Sequence, residues 1–157
     1  MRKKIIAQVS KSVSPTDLNW LDVEHLAQVE ITSESMGHPI ESALIPGPGL
    51  GWRAAQPGEQ TIRLVFDRPL SLRRIFLLFQ EEEQTRTQEF VLRWSPGGEE
   101  SFREILRQQY TFSPPGTTQE SEDFSVELNG VAVLELRIVP DISGGNACAT
   151  LMQWRLA

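Results

Sequence analysis

The sequence has little cysteine, little histidine and no long apolar run. Cys148 is the single cysteine in 157 residues, so neither an intramolecular disulfide nor a zinc site built from several thiolates is possible. The two histidines, His25 and His38, match no catalytic-triad motif and no metal-ligand spacing. No stretch approaches the roughly 20 apolar residues that cross a bilayer. We therefore expect a protein with no catalytic residues, no cofactor, no metal and no membrane span.

Basic residues are also scarce relative to acidic ones. Fifteen lysines and arginines face 21 aspartates and glutamates, giving a formal net charge of -6 and a pI near 5.0. Such a charge repels phosphate backbones, and no basic cluster opposes it, so we do not expect a nucleic-acid partner. The apolar run after the basic N-terminus ends at Ala7, too early for a signal peptide. Together with the single cysteine, this predicts a cytoplasmic protein.

What the sequence does have is alternation of apolar and polar residues with a period of two. Ala27, Val29 and Ile31 alternate with polar residues in this way. The segments 61–66, 88–94 and 124–128 alternate in the same way, whereas 72–80 is nearly continuously apolar, which is typical of a central strand covered on both faces. Further strands are predicted between turn residues at 102–112, 131–140 and 150–156. About eight strands with little helix predict an all-β fold, a single antiparallel β-sandwich jelly roll over residues 27–157.

A helical lead is predicted before this domain, over residues 1–26. Ser14 is suited to cap a helix and Pro15 to its first turn, and leucines follow at helical spacing, which indicates a helix near 15–25. A second turn of helix is predicted at Ile40 to Leu44. Within the sandwich, Asn129-Gly130 is the strongest two-residue hairpin signal.

The long loops of such a sandwich are expected to gather at one end. If 102–112 is a single strand, antiparallel alternation brings the connections 80–87, 113–122 and 140–147 together, beside the approach to the strand at 61. The short turns at 67–70, 95–101 and 129–130 then share the opposite end. Because binding residues are concentrated on loops held by a rigid scaffold, the loop-rich end is the expected binding end.

Four segments carry a resemblance to a known family: "VEITSESMGHPIESAL", "GWRAAQPGEQTIRLVFDRPLSLRRIFLLF", "TQEFVLRWS" and "LMQWRLA". Over residues 27–157 the chain resembles the discoidin, or coagulation factor C-type (F5/8 type C), branch of the galactose-binding-like jelly rolls. The resemblance implies a non-catalytic recognition domain, similar to bacterial carbohydrate-binding modules. The chain has "LIPGPGLGW" where the family often has an acidic element before the tryptophan, and Gln153 where it often has glutamate. Losing both carboxylates predicts no bound calcium.

The candidate ligand-binding residues all lie in or beside the predicted long loops. They are Trp52, Arg53, Glu82, Arg86, Asp141 and Asn146. Trp52 has a second interpretation as a cap on the core, and the acidic run at 81–83 is either solvated loop charge or a glycosidase-like carboxylate pair. The first hypothesis is carbohydrate binding. The alternative is a cytoplasmic protein-interaction module whose acidic loops contact a basic partner or a second copy.

Overall fold

The computed structural model describes residues 2–4, 19–97 and 101–157. Within them lie two short helices, α1 (Val23–Leu26) and α2 (Glu41–Leu44). The eight strands are β1 (Ala27–Ile31), β2 (Trp52–Arg53), β3 (Gln60–Gln80), β4 (Arg86–Ser95), β5 (Arg103–Phe112), β6 (Gln119–Val139), β7 (Thr150–Leu151) and β8 (Gln153–Leu156). The predicted all-β, antiparallel sandwich of about eight strands is confirmed.

Two layers of strands enclose the core. The first layer runs in the order β1, the first half of β3, the second half of β6, β4 and β5. The second layer holds β8, the second half of β3 and the first half of β6. Phe79 of the second layer contacts Phe90 of the first with ring centroids 5.1 Å apart. The buried side chains of both layers form one apolar cluster.

The strands β3 and β6 pass from one layer to the other without a hairpin. Leu72 pairs with Leu128 and Leu70 with Val131, so pairing continues on both sides of the bend. The predicted hairpin at Asn129-Gly130 is therefore wrong, and the turn predicted at 67–70 is the bend at which β3 passes from one layer to the other. Gly130 has φ of +71°, and here that conformation serves a bulge that bends β6 instead of a two-residue turn.

The helical predictions are partly right. The turn of helix predicted at 40–44 is confirmed by α2. The helix predicted near 15–25 is wrong at 19–22, and its residues 15–18 lie outside the described part of the chain; α1 begins only at Val23. The Leu21 N–H donates to the Leu156 carbonyl, so the chain is bonded to β8 before a helix starts. Neither described helix is long and apolar enough to cross a membrane.

The long connections meet at one end, as the alternation of strands predicts. The strand β5 is a single element, and its pairing with β4 is antiparallel. The Glu81 N–H donates to the Thr118 carbonyl and the Ile142 N–H to the Thr87 carbonyl, both at 2.8 Å. These bonds join three loops that lie far apart in sequence, which makes this end a continuous surface.

Gly51 is a position where glycine itself is required. Its φ is +79°, and a Cβ there would lie 2.8 Å from the Leu151 carbonyl oxygen. The backbone of β7 therefore approaches too closely for any side chain. We expect Gly51→Ala to lower the free energy of unfolding by about 2 kcal/mol, from the strained φ and the backbone clash. Urea unfolding monitored by tryptophan fluorescence measures this, and Gly58→Ala, with similar φ but open space, is the control.

Candidate functional site

A pocket of about 360 Å³ opens at the loop-rich end. Its walls come from four separate parts of the chain: the loop before α2, the β2 region, the end of β3 with its following loop, and the β7 region. The lining residues are His38, Leu50, Trp52, Arg53, Gln80, Glu81, Glu82, Glu83, Thr150 and Met152. Three of the predicted site residues, Trp52, Arg53 and Glu82, are thus brought together.

Arg53 contributes an exposed cation to this pocket. Its backbone is fixed, because its N–H donates to the His38 carbonyl at 3.3 Å and its carbonyl accepts from the Ser35 N–H at 2.8 Å. Among the described residues, however, none forms a hydrogen bond or an ion pair with its guanidinium. Arg53 therefore offers several N–H donors on a fixed stretch of backbone.

Trp52 takes the structural role that the sequence left open. Its side chain is 1% exposed, and its indole Nε1 donates to the Ser33 carbonyl at 3.0 Å. A ring this deeply buried presents no face on which a ligand could stack. The prediction that Trp52 contacts a ligand is therefore wrong: it packs in the core and supports Arg53, the next residue.

The acidic run forms one wall of the pocket. Glu82 accepts a hydrogen bond from the Gln80 amide at 2.7 Å, and Glu81 accepts one from the Glu83 N–H at 3.0 Å. Burial acts to raise the pKa of Glu81, but hydrogen bonds from Arg86 and the backbone outweigh it and hold that pKa below its usual range. Glu81 is therefore ionised at neutral pH, and its charge is neutralised by Arg86.

Arg86 lies beneath the pocket, and its side chain is fully buried. Its Nε donates to Glu81 at 2.7 Å, and its other nitrogens donate to the Pro140 carbonyl at 2.8 Å and to Thr150 Oγ1 at 3.3 Å. Its guanidinium also lies 4.8 Å from the centre of the Phe112 ring. Arg86 was predicted to contact a ligand. The structure corrects this prediction, because the buried side chain is fully engaged in bonds that join two loops and β7.

The buried network continues inward from Arg86. Its Nη1 donates to Gln88, and the Gln88 amide donates to Glu120 at 3.0 Å. Glu120 is 2% exposed, and its second carboxyl oxygen has no hydrogen-bond partner in the described part of the chain. Burial raises the pKa of Glu120 to about 8, with a further contribution from the neighbouring carboxyl of Glu122. A neutral carboxylic acid thus lies under the loop-rich end at pH 7.

Asp141 and Asn146 lie on the neighbouring loop and do not line the pocket. Asp141 accepts hydrogen bonds from the hydroxyl and the N–H of Ser143, and these two bonds lower its pKa. It thereby shapes its own turn. Asn146 is exposed. The prediction that these two residues bind ligand stays a prediction, and they lie outside the group formed by Arg53 and Glu82.

The pocket also contains residues that the sequence did not single out for binding. Leu50 is 69% exposed and supplies an apolar surface, and Met152 lines the pocket with it. His38 enters because the Ser35–His38 segment pairs with Arg53 through two backbone bonds. The path of the irregular 33–51 segment depends on those tertiary contacts. Residue spacing in the sequence therefore could not predict that His38 and Leu50 would line the pocket.

No protein-family model matches the chain, and no characterised protein matches it by sequence. Solved structures do match. CBM32-3 from a family 31 glycoside hydrolase of Clostridium perfringens has a TM-score of 0.65 at 17% identity, over 87% of this chain and 93% of that one. A family 29 fucosidase of Ruminococcus gnavus, in complex with fucose, has a TM-score of 0.60 at 7% identity over 84% of this chain, which spans 25% of the fucosidase chain.

A third structure, reduced XRCC1 bound to the catalytic domain of DNA polymerase beta, has a TM-score of 0.58 at 15% identity, over 84% of this chain and 95% of that one. Several of the matching structures are CBM32 carbohydrate-binding modules, with TM-scores from 0.53 to 0.65. The chain therefore has the galactose-binding-like, discoidin-type β-sandwich fold that its sequence indicated.

Proposed function

We propose that this protein is a non-catalytic carbohydrate-recognition domain whose binding site is the pocket at the loop-rich end. One observation carries the proposal: the guanidinium of Arg53, with which no described residue pairs, the carboxylates of Glu82 and Glu83, and the exposed Leu50 line the same open pocket. A few convergent polar groups beside an apolar surface are what orients a small ligand.

The chemistry of the pocket suits sugar hydroxyls. A hydroxyl both donates and accepts hydrogen bonds, so it can accept from Arg53 and donate to a glutamate, and bonds to charged groups are the stronger kind. Leu50 and Met152 supply contact for the C–H face of a sugar ring. The bonds of Arg86 to Glu81 hold one wall in place before ligand arrives, which reduces the entropy lost on binding.

The charges of the pocket do not favour glycoside hydrolysis by the acidic residues 81–83. A glycosidase needs one carboxyl that donates a proton to the leaving oxygen and a second that is ionised. The pKa of Glu81 is held low by Arg86, so Glu81 is an unsuitable proton donor at neutral pH. The carboxyl that does keep its proton, Glu120, is buried and does not line the pocket. Recognition without catalysis fits these charges better.

A second candidate function is protein recognition by the same acidic loops. Leu50 is largely exposed, and the fold also occurs in XRCC1, in the structure where XRCC1 is bound to another protein. In a cytoplasmic setting, the partner would be a basic protein that covers Leu50 and pairs with Glu82 and Glu83. A partner of this kind buries a far larger area than a sugar does, so the two candidates differ in the size of the footprint.

Arg53→Ala tests the carbohydrate proposal. On an array of neutral and acidic glycans, we expect the wild-type protein to bind one sugar class and the variant to bind that class about tenfold more weakly, because a charge-assisted hydrogen bond is lost. Arg68→Ala is the matched control, since Arg68 is also exposed but lies at the bend of β3. Equal losses in both variants, or no glycan bound by the wild type, would contradict the proposal.

A further inference from the structure

A second groove of about 360 Å³, separate from the pocket described above, lies between α1, β1 and α2. Its floor is apolar and its edge is acidic. The apolar residues are Val23, Ala27, Val29, Ile31, Ile40, Leu44 and Ile45, and the acidic ones are Glu24, Glu34 and Glu41. None of these residues lines the loop-end pocket.

The strand beside this groove has a free hydrogen-bonding edge. In the part of the chain that the structure describes, β1 pairs with β3 alone. The Thr32 N–H donates to the Thr61 carbonyl. In an antiparallel pair the backbone groups of alternate residues face the partner strand, so the N–H and C=O groups of the even-numbered residues of β1 face β3 and those of the odd-numbered residues face away from it. No described residue bonds to the N–H groups of Val29 and Ile31. An unpaired edge of this kind accepts a further strand.

The acidic edge of the groove is largely uncompensated. Glu24 and Glu41 have no ion-pair partner among the described residues, although Glu24 lies beside His25. Glu34 accepts a hydrogen bond from the Ile40 N–H at 2.9 Å but from no cation that the structure describes. An occupant that brings positive charge to this edge is therefore favoured over a neutral or acidic one.

We propose that β1 and this groove bind an extended peptide of a partner protein in which basic and apolar residues alternate. The peptide adds a strand to the free edge of β1. On a strand, successive side chains point to opposite faces. Its apolar side chains enter the groove beside Val29 and Ile31, while its lysines or arginines lie along Glu24 and Glu41. Backbone hydrogen bonds to the edge of β1 supply affinity, and the alternation of basic and apolar residues in the peptide supplies selectivity.

The experiment uses the full chain and three short fluorescent peptides with blocked ends. In the first, lysine alternates with valine; in the second, the same residues are grouped in two blocks; in the third, glutamate replaces lysine. Fluorescence anisotropy at low salt is expected to show the alternating peptide binding at least tenfold more tightly than the other two. Equal binding of the alternating and grouped peptides would mean attraction by charge alone and would overturn the proposal.

Variants of the groove make the test specific. We expect Glu24→Gln with Glu41→Gln to weaken binding of the alternating peptide five- to tenfold, and Asp67→Asn with Glu127→Gln, equal in charge change but outside the groove, to leave it unchanged. Val29→Pro removes an outward N–H and no bond to β3, so it is expected to weaken binding about tenfold, and more than Val29→Ala does. If Val29→Pro does not fold, the charge variants decide, and wild-type affinity in the groove variant would refute the proposal.

Discussion

Arg86→Ala is expected to lower the free energy of unfolding by about 3–5 kcal/mol, since removing one member of a buried ion pair leaves the other unpaired. Glu81 is only 11% exposed at its side chain and would lose its cation. The Pro140 carbonyl would lose its donor at the same time. A cavity would also open against Phe112, whose ring faces the guanidinium. All three effects act on the same end of the sandwich.

Arg107→Ala is the contrasting variant. Arg107 forms two ion pairs, with Glu89 and Glu104, but its side chain is 53% exposed. Exposed pairs contribute little to stability, so we expect a much smaller loss than for Arg86→Ala. Chemical unfolding of both variants measures the difference. Similar losses in the free energy of unfolding would contradict a stabilising role for the buried bonds of Arg86 beneath the pocket.

Glu120→Gln is expected to change how stability depends on pH. The folded protein holds the Glu120 proton up to a pKa of about 8, whereas the unfolded chain releases it near 4.5. Between these values the folded state binds more protons than the unfolded state, so the free energy of unfolding of the wild type falls as the pH rises. The contribution of this carboxyl to stability is fully present below pH 4.5 and is lost as the pH rises through 8. Glutamine has no proton to lose and keeps an oxygen to accept from Gln88.

The variant should therefore exceed the wild type in stability by an amount on the order of 3 kcal/mol at pH 9, and the two should converge near pH 4. Thermal unfolding across this range measures the difference. Glu127→Gln is the control, because Glu127 lies on the same strand but is exposed. A gap that stays constant with pH, or one that Glu127→Gln also shows, would contradict a buried neutral carboxyl at position 120.

The sequence identified most strands and misjudged the bends between them. Alternation of apolar residues reports which face of a strand is buried, and it placed β1, β4 and β5 correctly. It does not report whether two consecutive segments of the chain pair with each other as a hairpin or whether both pair with another strand. Asn129-Gly130 favours a tight turn locally, but continuous pairing of β3 with β6 on both sides of it turned the same glycine into a bulge.

The site was only partly predictable for a related reason. Glu82 is in a loop and Arg53 ends the two-residue strand β2, and both side chains are exposed. Trp52 is next to Arg53 and Arg86 is a few residues after Glu82, yet both are buried. Trp52 packs in the core, and Arg86 forms hydrogen bonds with other parts of the chain, such as the Pro140 carbonyl. Such partners come from residues far along the chain, and spacing in the sequence does not encode them.

The most direct test of the account is a titration of the isotopically labelled protein with the glycan that gives the strongest array signal, followed by nuclear magnetic resonance of the backbone amides. We expect the largest shifts at Leu50, Arg53, Glu82 and Glu83, around the pocket at the loop-rich end. Shifts confined to other surfaces, such as the free edge of β1, would contradict the carbohydrate site proposed for that pocket.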